Sequence, residues 1–276
     1  MSSETRPEKR GRGRPKSQFK ESSAGTLQAL DRALSVLVHV SRGDSPTLSD
    51  LSRELDVPTA TTHRILTTLQ NHGFVSFDEA RQEWRIGVEA YRTGAAFLRG
   101  NSVIEIGQSF MRKLMRHTGE TANLAVPDAG HVVFVGQVEA ANPIRAFFPP
   151  GTRTSMHASG TGKAILAAMS DAALDRVLSS MPLEGYTPQT RASRDALLRD
   201  LDEIRARGWS HDHEERHAGM SCIGAAIYDA GGVPHAGISV SGPSTRFSPD
   251  RLQDLGAEVA QAAREITQLS GGQMPG

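Results

Sequence analysis

Leu27, Leu30, Ala33, Leu34, Leu37 and Val38 recur at helical spacing. They predict an amphipathic helix that begins near Thr26 and stops in Ser41-Arg42-Gly43-Asp44, where Gly43 and the following Pro46 end it. Leu48, Leu51 and Leu55 mark a short second helix, with Thr47 as its N-cap and Asp50 three residues on as the capping-box partner. After the tight turn Leu55-Asp56-Val57-Pro58, a third helix turns Ile65, Leu66 and Leu69 inward. Pro58 suits its first turn, and Gly73 in Asn71-His72-Gly73 suits its left-handed end. Phe74, Val75 and Phe77 then face Trp84, Arg85 and Ile86 across Asp78-Glu79-Ala80-Arg81, the pattern of a hairpin. Val88, Tyr91, Ala95 and Leu98 continue as a helix over 87–100, and Val103, Ile106, Phe110, Leu114 and Met115 as another to His117.

The second half mixes the two periods. Strands are expected at Thr121–Val126, His131–Val138, Ser221–Tyr228 and His235–Ser241, and helices at Gly160–Met169, Asp171–Ser179, Arg194–Arg207 and Pro249–Leu269. Paired strands with helices between them predict an antiparallel α+β fold. The chain of 276 residues divides into a polar arm (1–24) expected to be disordered when free, a winged helix-turn-helix (25–86), a linker helix (87–100) and a larger domain (101–276).

Charge changes this picture from fold to function. Lys and Arg balance Asp and Glu at 31 each, yet residues 1–20 hold seven basic residues against two acidic ones. From Val57 to Gly73 no acidic residue occurs, whereas a solvated helix without a partner normally mixes signs. Thr59, Thr61, Thr62, Arg64, Thr67 and Thr68 are expected on the outward faces of the third helix, suited to phosphates and base edges in a major groove. Arg81 and Arg85 would let the hairpin touch flanking phosphates. The alternative is a helix-turn-helix used for protein contact, since fold alone does not fix function. Arg10, Arg12 and Arg14 stand in Lys9-Arg10-Gly11-Arg12-Gly13-Arg14-Pro15-Lys16, which resembles a minor-groove AT-hook; a solvated basic tail is the other reading. One cysteine, no signal-peptide pattern and no long apolar run lead to the expectation of a cytoplasmic protein without a membrane span. Aromatic residues at 5% disfavour a binder that stacks single strands.

Three motifs in the second half carry candidate chemistry. Ser159-Gly160-Thr161-Gly162 opens a helix, and a helix start offers unpaired N–H groups to a carboxylate; an ordinary capped helix start has the same sequence. Gly160-Thr161-Gly162-Lys163 fails as a phosphate loop, because His157 and Ala164 replace the required Gly and Ser/Thr. His213-Glu214-Glu215-Arg216-His217 matches the zinc-hydrolase pattern, which needs both His on one face of a buried helix, and this stretch has no apolar residue to bury one. Zinc hydrolysis is therefore the weaker alternative, and non-catalytic metal binding by His211, Asp212, His213 and His217 a further one. No cofactor is expected.

Taken together, Leu27-Gln28-Ala29-Leu30-Asp31-Arg32-Ala33-Leu34, Thr62-His63-Arg64-Ile65-Leu66, Met156-His157-Ala158-Ser159-Gly160-Thr161-Gly162-Lys163-Ala164, Cys222-Ile223-Gly224-Ala225-Ala226 and Ile238-Ser239-Val240-Ser241-Gly242-Pro243 resemble the IclR family of bacterial transcriptional regulators over about residues 26–270. The resemblance implies a winged helix-turn-helix, a linker helix and a GAF-like effector domain. It implies dimers through the N-terminal domain, tetramers through the effector domains, and a palindromic double-stranded operator. Effectors of the family are usually small organic acids, and both activators and repressors occur. In glyoxylate-binding members the ligand sits on backbone N–H groups matching Gly160 and Thr161, with side chains matching Asp212, Cys222, Ser239 and Ser241. A regulator of aromatic-acid catabolism is the alternative within the family. An acidic loop of the family, read as structural, matches Glu214 and Glu215.

Overall fold

The computed structural model describes residues 27–42, 45–100 and 102–275. Arg10, Arg12 and Arg14, and with them the AT-hook expectation, lie outside the described residues. The chain divides into two compact units, with the boundary between Ala96 and Phe97.

The first unit runs α1 (Gln28–Val40), α2 (Leu48–Glu54), α3 (Thr59–Asn71), β1 (Val75–Asp78) and β2 (Glu83–Ile86), and α4 (Val88–Arg99) leads out of it. Thr47 and Asp50 cap α2 reciprocally, the Thr47 hydroxyl oxygen accepting the Asp50 N–H at 3.3 Å and the Asp50 carboxylate accepting the Thr47 N–H at 3.2 Å. Val36, Val40, Leu51, Leu66, Val75 and Trp84 make the core. The hairpin has the expected strands, with Val75 opposite Ile86 and Phe77 opposite Trp84. The helix expected over this stretch is present, but its core contacts come from another side. Leu27, Leu30, Leu34 and Val38 do not enter this core; they are 75%, 55%, 53% and 54% exposed. Helix α1 is apolar on two sides, and Val36 and Val40, on the opposite side from these four, do the packing.

The second unit holds α5 (Ser102–Thr118), β3 (Thr121–Asp128), β4 (His131–Val138), β5 (Arg153–Ser155), α6 (Gly160–Ala168), α7 (Asp171–Ser180), α8 (Arg194–Arg207), β6 (Ser210–His213), β7 (Met220–Tyr228), β8 (Pro234–Pro243) and α9 (Pro249–Leu269). The strands form one antiparallel sheet in the order β5-β4-β3-β8-β7-β6. Because side chains alternate along a strand, Leu124, Ile223, Ile238 and Val240 pack on α5 and α9 from one face. Asn123, Cys222, Ser239 and Ser241 consequently belong to the other face, on the side of α6. A second core there joins Ala125, Val132 and Phe134 of the sheet to α6, α7 and α8. The fold is thus α+β, as expected. The edge strands β5 and β6 were not expected; they are three and four residues long and show no apolar alternation. Among the described residues no helix is long and apolar enough to cross a membrane.

Candidate functional site

The polar face of the sheet is assembled by register. Asp212 on β6 pairs with Cys222 on β7, and Cys222 with Ser241 on β8. One pleat along, Gly224 pairs with Ser239, and Ser239 with Asn123 on β3. Helix α6 is laid against this face by glycine. A Cβ on Gly224 would stand 2.7 Å from the Thr161 nitrogen, and a Cβ on Gly160 would stand 2.7 Å from Cys222 Sγ. No larger residue could bring the start of α6 so close to the strand. The Ser159 hydroxyl oxygen accepts the Gly162 N–H at 3.3 Å, which leaves the N–H groups of Gly160 and Thr161 at the helix start, next to Cys222.

A cavity of about 30 Å³ opens here. Ser159, Asp212, Cys222 and Ser241 line it, with Phe134, Phe148, Arg216 and His217 among the residues of its remaining wall. Of the residues expected from sequence, Gly160 and Thr161 sit behind Ser159 and against Cys222 rather than on the wall itself. Ser239 lies one pleat behind Ser241 and is fully buried, its hydroxyl on the side of the Cys222 sulfur; the Thr161 hydroxyl is buried and unpartnered. All six residues are therefore brought to one place. Burial pushes the Cys222 thiol up to about 11 and the Asp212 charge adds to this, while the Ser241 and Ser239 hydroxyls and the Thr161 N–H hold it partly back. Burial pushes the Asp212 carboxyl up to about 7, and the Glu215 carboxylate raises it further against the opposing Glu215 N–H and Lys163. A carboxyl in this state can stand protonated and donate a hydrogen bond.

Sequence reasoning did not foresee Asn123, Arg216 or the aromatic wall. Phe134 and Phe148 stack at 5.1 Å. The Arg216 guanidinium lies 3.7 Å over the Tyr186 ring, a cation–π contact that holds a positive charge at the cavity. Its signal is a basic residue inside His213-Glu214-Glu215-Arg216-His217, a stretch whose histidines match a different motif.

That motif is not helical. His213 ends β6, Glu214 takes a left-handed φ of 59°, and His217 lies in the loop before β7. Among the described residues no group of three or more His, Cys, Asp and Glu is arranged to hold a metal ion. The second acid of the motif has a different partner. Lys163, fully buried, donates to Glu215 Oε1 at 2.6 Å, to Asp200 Oδ2 at 2.5 Å and to the His211 carbonyl at 2.8 Å. The Glu215 N–H in turn donates to Asp212 Oδ1 at 2.8 Å. The lysine of the phosphate-loop lookalike and the glutamate of the zinc-site lookalike thus belong to one buried ion cluster next to the cavity.

In the first unit, α3 presents Thr59, Arg64 and Thr68 as exposed residues and Thr61 and Thr67 as half-buried ones. Thr62 has to be withdrawn from the outward set. It is fully buried, and its hydroxyl donates to the Val57 and Pro58 carbonyls at 3.2 and 3.3 Å, closing the turn before the helix. The Thr67 and Thr68 hydroxyls donate to the His63 and Arg64 carbonyls, and Thr59 Oγ1 lies 3.0 Å from Ser52 Oγ. On the wing Arg81 is exposed, whereas Arg85 lies 3.2 Å from each of Asp78 and Glu83, so its charge is already balanced within the hairpin.

Comparison with known proteins agrees with both halves. The family model described as IclR helix-turn-helix domain matches residues 29–79, and that described as bacterial transcriptional regulator IclR C-terminal matches residues 95–268. The HTH-type transcriptional regulator BhcR of Paracoccus denitrificans is 44% identical over 267 residues, covering 97% of this chain and 95% of that protein. The HTH-type transcriptional repressor AllR of Klebsiella pneumoniae is 39% identical over 265 residues, covering 96% of this chain and 97% of its own. The crystal structure of the Thermotoga maritima IclR aligns with a TM-score of 0.72 at 26% identity, over 88% of this chain and 98% of that one.

Proposed function

The chain belongs to the IclR family of bacterial transcriptional regulators, and from that premise we propose that a small oxo-acid, most simply glyoxylate, fills the cavity of the second unit and changes the affinity of α3 for a palindromic operator. The observation that carries the choice of ligand is the cavity's size together with its donors. A volume of about 30 Å³ takes roughly two or three water-sized groups. Ser241 and a protonated Asp212 are donors on the cavity wall, and the N–H groups of Gly160 and Thr161 and the Ser239 hydroxyl are donors directly behind it, a set that suits a carboxylate. The carboxylate is placed at the start of α6 and the aldehyde or its hydrate towards Asp212 and Cys222. An aromatic acid would need the stacked Phe134 and Phe148 to part.

Assembly follows from the first unit. The exposed row Leu27, Leu30, Leu34 and Val38 on α1 supports self-association, as do Val88 and Tyr91 on α4, 70% and 71% exposed. A dimer carries two recognition helices for two half-sites, and a tetramer of two such dimers is the larger assembly. A regulator reading operon DNA works in the cytoplasm.

The test is titration calorimetry of the full chain with glyoxylate and with 4-hydroxybenzoate, followed by gel shifts on the DNA upstream of its own operon with and without the ligand that binds. Even the best tiny ligands gain only about 1.5 kcal/mol per heavy atom, so glyoxylate should bind at roughly micromolar affinity or weaker. Heat with the aromatic acid and none with glyoxylate would replace the proposed effector by the other branch of the family.

A further inference from the structure

Behind Ser241 a short relay of amides leads away from the cavity. Asn123 is fully buried on β3, between Ala122 and Leu124, which pack into the core of the opposite face. A buried amide is unfavourable unless its groups are bonded, and both ends of this one are. Its Nδ2 donates diagonally from β3 to Ser241 Oγ on the neighbouring β8 at 3.3 Å. Its Oδ1 accepts from Gln137 Nε2 at 3.1 Å, and Gln137 is its register partner on β4. Direction is the informative part. Gln137 turns its NH₂ group to Asn123, and in this arrangement Asn123 turns its oxygen outward and its NH₂ group towards Ser241. The oxygen of Ser241 is then used as an acceptor on that side, and its own proton is left for the side of Cys222 and the cavity, both of which Ser241 adjoins.

We propose that Asn123 and Gln137 are positioning residues that fix Ser241 as a hydrogen-bond donor to the effector's carboxylate, and so set a preference for an anion over a neutral molecule of the same shape. This rests on reading the cavity as the oxo-acid site. It adds that selectivity is written partly on β3 and β4, outside the cavity wall.

The relay can be reversed from its outer end. Gln137 is half-buried, and Gln137→Glu keeps its shape. An ionised carboxylate there can only accept, so the Asn123 amide turns over and presents its oxygen to Ser241. Ser241 then donates to Asn123, and its lone pairs face the carboxylate of the ligand. When the introduced carboxyl is protonated it can donate again and the original direction returns. Asp212, Arg216 and His217 also face the cavity, and Glu139 and Arg145 pair with each other at 2.7 Å just beyond β4. These groups are common to both proteins, so the ratio of variant to wild type at each pH removes their shared contribution.

The experiment is calorimetry of the full chain with glyoxylate and with neutral glyoxylamide, at about pH 5.5 and about pH 8, on either side of the range in which a half-buried glutamate titrates. Wild type, Gln137→Glu and Gln137→Met are compared. At the higher pH Gln137→Glu should weaken glyoxylate roughly ten-fold or more, as for the loss of a hydrogen bond to a charged group. The loss should shrink at the lower pH, and glyoxylamide should be weakened less than glyoxylate. Gln137→Met, which removes the donor without installing an acceptor, should fall between. Equal affinity of Gln137→Glu and wild type at both pH values would overturn the proposal. So would a loss that is the same at both pH values and the same for Gln137→Met, the mark of a merely structural role. Wild-type protein that binds neither ligand would overturn the reading of the cavity as well, and that outcome is distinct from an indifferent variant of a protein that binds.

Discussion

An anion entering the cavity meets Asp212, and the state of that carboxyl decides whether the encounter is favourable. Burial and the Glu215 carboxylate hold the Asp212 carboxyl at about 7. A carboxylate ligand repels the ionised form and accepts a hydrogen bond from the protonated one, so binding should draw a proton onto Asp212. The sign follows: affinity is highest in acid and falls as pH rises through about 7. If only the protonated form binds, the apparent Kd scales with 1 + 10^(pH − pKa). Between about pH 6 and about pH 8 it should then rise roughly ten-fold, or about 1.4 kcal/mol. Other groups near the ligand do not imitate this. Burial keeps His217 below the ordinary histidine range, and the Cys222 thiol titrates near 11. Calorimetry with glyoxylate in two buffers of different ionisation heat measures the protons directly, and uptake should approach about one per site at about pH 8. Asp212→Asn should bind with the affinity of the acid form and show neither pH dependence nor uptake. Wild-type affinity that is flat across this range, or that rises with pH, would refute the reasoning and place an ionised Asp212 beside the ligand. The same linkage acts on folding. Because the folded state keeps this proton to higher pH than the unfolded chain does, Asp212 lets stability fall as pH rises from about 4 to about 7.

Three further outcomes are expected. Arg64→Ala should weaken operator binding by about 1–3 kcal/mol if Arg64 reads a base by two bonds; a gel shift equal to wild type, with the fold intact by circular dichroism, would remove it from the interface. Lys163→Met should destabilise the protein by about 3–5 kcal/mol in denaturant melts, because it leaves Asp200 and Glu215 buried without their cation; a loss under about 1 kcal/mol would mean that the pair is neutralised in another way. Leu30→Asp combined with Leu34→Asp should lower the oligomeric state measured by sedimentation without unfolding the first unit, since both side chains are exposed in the single chain; an unchanged assembly would move the interface elsewhere.

What could be read in advance was what nearby residues decide. The Thr47 and Asp50 cap, the 75–86 hairpin, both central strand pairs and the helices α5 to α9 follow from spacing and turn chemistry within a few residues. The misreadings arose where the deciding partner is elsewhere. Thr62 reads as an outward polar residue until the turn brings the Val57 and Pro58 carbonyls within reach of its hydroxyl. In α1 the spacing marks an amphipathic helix but does not say which of two apolar sides the neighbouring helices will cover. Asn123 gave no signal at all, since its partner Ser241 is 118 residues away and meets it only through the pairing of β3 with β8. The residues of the proposed effector site come forward through resemblance, since the chemistry of the Ser159–Gly162 helix start alone leaves two readings open.

The two lookalike motifs show the same principle from the other direction. Gly160-Thr161-Gly162-Lys163 and His213-Glu214-Glu215-Arg216-His217 each look like half of a catalytic device when read alone. In the fold Lys163 and Glu215, 52 residues apart, neutralise each other beneath the cavity. Each is a buried charge that would be strongly unfavourable without the other, so the presence of one accounts for the other without any catalysis. The position of the pair matters as much as its charge. Lys163 lies three residues into the helix whose first N–H groups face Cys222, and the Glu215 N–H holds Asp212. The donor end of the cavity and its proton-sensitive end are therefore tied to each other through one ion pair as well as through the sheet. A ligand that changes the charge of Asp212 acts on a carboxyl that is one hydrogen bond away from Glu215 and, through it, from α6.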